Sequence, residues 1–94
     1  MSECEINKLS DIFKLLGSSA RLRIILAIKD RELCVAEIVK MTGISYSAVS
    51  QQLKELKFNN LVKCRKVKNF IYYKISDLHV LTILESGIVH VKEC

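Results

Sequence analysis

The sequence predicts a mainly α-helical domain with one small β-hairpin, paired with a second copy of itself through its first and last helices. Three observations predict this. Apolar residues recur at helical spacing over most of the chain, and two adjacent runs between residues 61 and 76 switch to the alternation expected of strands. The last segment is apolar on nearly every side, which asks for more covering surface than a single 94-residue chain supplies. We read residues 1–94 as one domain.

The elements follow in order. From Cys4 to Leu16, Ile6, Leu9, Phe13 and Leu16 repeat at three and four, with Ile12 and Leu15 widening the stripe, so an amphipathic helix is expected. Gly17-Ser18-Ser19 ends it and supplies the next N-cap. Ala20 to Lys29 carries Leu22, Ile25, Leu26 and Ile28, a density that places this helix near the middle of the domain. After the polar break Asp30-Arg31-Glu32, a short helix from Val35 to Met41 turns Val35, Ile38 and Val39 inward. Gly43, in Thr42-Gly43-Ile44-Ser45, can take the positive φ of a tight turn.

A second helix runs from about Tyr46 to Phe58 with Val49, Leu53 and Leu56 inward and Ser47, Ser50, Gln51 and Lys54 outward. Asn59-Asn60 stops it. A short helix, a glycine turn and a polar-faced helix form a helix-turn-helix, whose second helix enters the DNA major groove. Leu61–Val67 and Phe70–Ser76 read as strands joined at Lys68-Asn69, a basic-tipped hairpin that serves as a wing. The last helix starts at Ser76 or Asp77. One stripe, Leu81, Leu84, Ile88 and Val91, is expected to pack on its own domain, and another, His79, Ile83, Ser86 and His90, to face a second copy. Gly87 costs this helix about 1 kcal/mol relative to alanine, which a close crossing of two helices near the dyad explains.

Net charge is +5, but the charge is concentrated. Between Ser45 and Ser76, Lys54, Lys57, Lys63, Arg65, Lys66, Lys68 and Lys74 oppose only Glu55, a local balance of +6, while the remainder of the chain carries −1. A basic segment on a nearly neutral body suits a polyanion meeting one surface. Lys66 and Lys68 at the wing would meet phosphates, and Ser47, Ser50, Gln51 and Gln52 could hydrogen-bond base edges. Double-stranded DNA carrying an inverted repeat is the expected partner, since a winged dimer presents two reading helices about one helical turn apart. No apolar run is long enough for a membrane span and no signal peptide is apparent, so a cytoplasmic protein without a membrane partner is expected.

The chemistry concentrates at the end. Asp77-x-His79 is followed, after ten residues, by His90-x-x-Glu93, and these are the only two histidines in the chain. Eleven positions separate them, almost three helical turns, so both imidazoles share one face with Glu93. They stand about 16 Å apart along the axis at about 1.5 Å per residue, whereas metal–imidazole bonds are about 2 Å long. One helix therefore cannot chelate one ion with both. Two antiparallel helices across a twofold axis would bring Asp77 and His79 of one chain against His90 and Glu93 of the other, giving two equivalent four-ligand sites per homodimer. Asp77 also qualifies simply as an N-cap. Two imidazoles and two carboxylates in tetrahedral closure suit Zn(II), with Co(II) or Ni(II) also compatible. A site closed by four protein ligands leaves no open position for catalysis, so no enzyme is expected.

Glu32-Leu33-Cys34-Val35-Ala36-Glu37-Ile38, the stretch Ser45-Tyr46-Ser47-Ala48-Val49-Ser50-Gln51-Gln52-Leu53-Lys54-Glu55-Leu56, and Asn60-Leu61-Val62 with Arg65-Lys66 and Ile71-Tyr72-Tyr73-Lys74-Ile75 resemble the ArsR/SmtB family of dimeric winged-helix metal-sensing repressors. The likeness runs from Leu9 onward. It implies that Ser45, Tyr46, Ser47, Ser50, Gln51, Gln52, Lys54, Lys57, Arg65, Lys66 and Lys68 make the DNA surface. It also implies that Asp77, His79, His90 and Glu93 form the family's carboxy-terminal metal site, and that the metal-free dimer binds an operator which Zn(II) releases. His90 is the histidine that would pass the change through its second nitrogen to the backbone near the reading helix. The family's thiolate site usually reads E-L-C-V-C, and here Ala36 replaces the second cysteine. Cys4 with Cys34 is one way to complete such a site, and Cys34 as a small buried hydrophobe is the other reading. Cys4, Cys34, Cys64 and Cys94 lie thirty residues apart, which gives no disulfide framework. The alternative function is a winged-helix DNA-binding regulator that is metal-independent or controlled by cysteine oxidation.

Overall fold

The computed structural model describes residues 1–94 and consists of five helices and a three-stranded antiparallel sheet. Helix α1 spans Glu3–Leu16, α2 Ser19–Ala27, strand β1 Leu33–Cys34, α3 Val35–Thr42, α4 Tyr46–Phe58, β2 Val62–Val67, β3 Phe70–Ile75 and α5 Leu78–Lys92.

Local chemistry sets these boundaries. The Ser2 hydroxyl accepts from the Glu5 N–H while the Glu5 carboxylate accepts from the Ser2 N–H, a reciprocal cap that opens α1. Ser18 and Ser45 cap α2 and α4 by accepting from the Arg21 and Ala48 amides. Gly43 closes α3 at φ +74°, a left-handed conformation that costs glycine nothing, and its N–H bonds to the Val39 carbonyl at 2.8 Å. Asn59 caps the end of α4, and Asn60 follows at φ 61°. Lys68, at the hairpin tip, also takes a positive φ of 56°.

The core lies between α2, α3, α4 and the base of the sheet. Ile24, Ile25, Ile28, Ile38, Val49, Leu53, Leu56 and Leu61 are fully buried in it. The inward face of α4 is the expected one, Val49, Leu53 and Leu56. Tyr73 and Ile75 of β3 pack against the same cluster from the sheet, and burial pushes the Tyr73 phenol above its ordinary pKa.

The structure departs from the expectations in two places. The hairpin is part of a three-stranded sheet in the order β1-β3-β2, because Leu33 and Cys34 pair with Tyr73 and Tyr72. The inward stripe of α5 is Val80 and Leu84, flanked by the half-buried Leu81 and Ile88, whereas Val91 is 70% exposed. Val91 instead lines an open apolar groove beside α1 and α2. Half of the stripe on α1, a helix expected at the dimer seam, is uncovered in the single chain: Leu15 and Leu16 are buried and Ile12 half-buried, but Ile6, Leu9 and Phe13 face outward.

Candidate functional site

Two surfaces carry chemistry. The first joins α4 and the wing. Packing of Val49, Leu53 and Leu56 into the core leaves Ser47, Gln51 and Lys54 exposed on the other side of α4, with Tyr46 and Lys57 exposed near its two ends and Ser50 half-buried. Ser45 stands at the helix start with its hydroxyl oxygen engaged as the cap. Lys66 and Lys68 are exposed towards the wing tip, and neither has an ion-pair partner in the chain.

Two residues expected to face DNA are engaged elsewhere. Gln52 is half-buried and its Oε1 accepts a 2.6 Å hydrogen bond from Arg21 Nε. Arg65 Nε donates to Glu32 Oε2 at 2.7 Å, tying β2 to the segment before β1. That bond holds the Glu32 carboxyl below the ordinary range, with Lys74 and Lys63 adding to the effect. Lys63 and Lys74 sit directly opposite each other on β2 and β3, so Glu32 also offsets a like-charge cross-strand pair. Arg21 and Glu32 are the functional neighbours that sequence reasoning missed. Each lies about thirty residues from its partners, and no local pattern signals such a pairing.

The second surface is α5 with the helices beside it. Asp77 is the N-cap, its Oδ1 accepting from the Val80 N–H at 3.0 Å. The His79 side chain is 95% exposed, and its Nδ1 lies 3.8 Å from Asp77 Oδ1. His90 and Glu93 border an open depression at the other end of the helix with Glu85, Ser86 and Val89. Lys29, two residues past the end of α2, ties this helix down through Glu85 at 3.1 Å, and that bond raises the Lys29 pKa. Asp77 and His79 thus lie at one end of α5, and His90 and Glu93 at the other. Within one chain no three of the histidine, cysteine, aspartate and glutamate side chains are grouped as a metal site.

Beside this face runs an apolar groove of about 400 Å³ between α1, α2 and α5, lined by Phe13, Leu22, Leu26, Ile83, Gly87 and Val91 among others. A Cβ built on Gly87 meets nothing within 4 Å, so nothing in the single chain requires glycine there. All four cysteines are free thiols. Cys34 is buried at the start of α3, its N–H bonded to the Glu37 carboxylate, whereas Cys4 is exposed on α1. No helix is long and apolar enough to cross a membrane.

Comparison with known proteins agrees with this architecture. Residues 18–63, from the α2 cap into β2, match the arsR family of bacterial regulatory proteins. A protein described as a transcriptional repressor SmtB homolog from Synechocystis is 34% identical over 93 residues, covering 99% of this chain and 70% of that protein. A homodimeric winged helix-turn-helix DNA-binding domain from Mycobacterium bovis, described as a possible ArsR-family transcriptional regulator, superposes with a TM-score of 0.90 at 25% identity, covering 99% of this chain and 89% of the other. The antimony-specific transcriptional repressor AntR superposes at 0.87 with 31% identity, over 98% and 84% of the two chains. With a helix-turn-helix, a basic wing and relatives that are transcriptional regulators rather than enzymes, this chain belongs to the ArsR/SmtB family of winged-helix DNA-binding regulators.

Proposed function

We propose that the protein is a metal-responsive transcriptional repressor whose dimer binds an inverted-repeat operator when metal-free and releases it when Zn(II) binds between the two α5 helices. The observation that carries this reading is the division of the donor set. Asp77 and His79 lie at one end of a single helix, His90 and Glu93 at the other, and all four are exposed while the chain assembles no site of its own. An antiparallel second copy supplies each pair with its complement.

The residues fit the ion. His79 and His90 offer imidazole nitrogens, and Asp77 and Glu93 offer carboxylate oxygens that balance a divalent charge. Asp77 uses Oδ1 as the helix cap, which leaves Oδ2 free for a ligand. The absence of thiolates from the set suits Zn(II), Co(II) or Ni(II) better than more thiophilic ions. When bound, the ion supplies a positive centre shared by both subunits.

The protein contributes the coupling. Lys29–Glu85 joins α5 to the turn after α2, and Arg21 joins α2 to the reading helix, so a chain of polar contacts links α5 to α4. Only a difference in operator affinity between two dimer geometries is required. A coupling of about 1–3 kcal/mol corresponds to roughly 5- to 150-fold in affinity. Control through Cys34 oxidation has less support, because reactive thiols are partly exposed and this one is buried.

The reading is tested by fluorescence anisotropy with a labelled duplex selected by the metal-free protein from a random library, at fixed salt, with zinc and with chelator. Zinc should weaken binding, and His79→Ala should remove the response while leaving metal-free affinity intact. Equal affinity in zinc and chelator would reject it.

A further inference from the structure

Arg21 reaches across from the first turn of α2 to the reading helix. Its Nε donates to Gln52 Oε1 at 2.6 Å and its Nη2 to Glu55 Oε2 at 2.9 Å. The Arg21 side chain is about one-fifth exposed, and the two acceptors lie three residues apart on α4. A planar fork holding two neighbouring groups fixes rotation as well as distance, which a lysine ammonium cannot do. Glu55 is also the only carboxylate between Ser45 and Ser76. Pairing it with Arg21 offsets a negative charge on the helix that approaches phosphates.

We propose that Arg21 is a positioning residue for DNA recognition: by clamping Gln52 and Glu55 it sets the angle at which α4 presents Ser47, Gln51 and Lys54, and it makes Gln52 a strut instead of a base reader. Val49, Leu53 and Leu56 fix the depth of the reading helix and its inward face. The Arg21 fork adds directional contacts on another flank of the same helix. The inference concerns DNA binding by the metal-free protein, so its test does not require the metal reading to hold.

The experiment is carried out in chelator on the full chain. A duplex selected from a random library by the wild type, and a scrambled duplex of equal length, are titrated with wild type, Arg21→Ala, Arg21→Lys and Gln52→Ala, each checked by circular dichroism. Loss of Arg21 should reduce the preference for the selected duplex about tenfold, as expected for losing about 1.4 kcal/mol of discrimination. Affinity for the scrambled duplex should fall much less. Arg21→Lys, which keeps charge without the fork, should fold normally and still lose part of the preference. Library selection with Gln52→Ala should return the wild-type bases with weaker preference.

An unchanged preference in both Arg21 variants would overturn the proposal. So would equal losses on both duplexes in step with a lower melting temperature, the signature of a merely structural role. A selection in which Gln52→Ala changes one preferred base, while Arg21→Lys changes none, would restore Gln52 as a reader and also overturn it.

Discussion

Replacing Gly87 with alanine should strengthen the subunit and weaken the dimer. In the single chain the added methyl meets nothing within 4 Å, and the residue sits well inside α5. Alanine there should gain about 1 kcal/mol of helix stability. If two copies cross at this glycine, the same methyl enters the closest part of the crossing from both sides. Overpacking of this kind costs about 1–3 kcal/mol, which corresponds to a dimer dissociation constant raised roughly 5- to 150-fold. Sedimentation equilibrium measures the constant, and urea unfolding at concentrations where monomer predominates measures the subunit. The opposite signs are diagnostic. A variant that dimerises as tightly as the wild type or more tightly would refute the placement of Gly87 at the crossing, and with it the account of why a glycine stands there.

Two further predictions concern charge. Lys66→Ala and Lys68→Ala should each weaken binding to selected and scrambled duplexes alike and reduce the salt slope by about one; a loss confined to the selected duplex would contradict a phosphate-binding wing. Glu32 is held below the ordinary carboxylate range by Arg65. A carboxylate lowered on folding stabilises above its unfolded pKa and loses that contribution as pH falls through the folded value. The stability difference between wild type and Glu32→Gln, followed by chemical denaturation, should therefore be present at neutral pH and close progressively below about 4.5. A difference unchanged down to strongly acidic pH would show that the Arg65 pair is not its source.

The parts of the fold that could be read from residues are those set by neighbours in sequence. α4 spans Tyr46–Phe58 as its apolar spacing indicates and stops at Asn59, and its buried face follows from the spacing of Val49, Leu53 and Leu56. The β2–β3 tip falls at Lys68-Asn69 as alternation indicated. β1 escaped notice because two residues, Leu33 and Cys34, become a strand only through β3, some forty positions later. Val91 keeps the period of the inward stripe, but a helical period cannot reveal that this position borders an open groove. Gln52 looked free because the cation that holds it lies 31 residues away.

The four candidate metal ligands were visible as a pattern for the opposite reason. Their spacing is local even though the proposed site is not. Phe13, Leu26, Ile83 and Val91 were each recognisable as apolar, but only the folded chain shows that Phe13, Leu26 and Val91 remain largely uncovered along one groove beside Gly87. Such a continuous apolar surface on a small domain suits a second copy.

Mixing two defective chains tests the central claim most directly. His79→Ala and His90→Ala are purified separately, then unfolded and refolded together, and Co(II) binding is followed by its visible absorption. Each variant alone should lack the tetrahedral site. A mixed dimer pairs the intact Asp77–His79 end of one chain with the intact His90–Glu93 end of the other, so a statistical mixture should recover about a quarter of the wild-type sites. If the mixture binds no more than the separate variants, while wild type treated the same way regains full binding, the ligands are not shared between subunits.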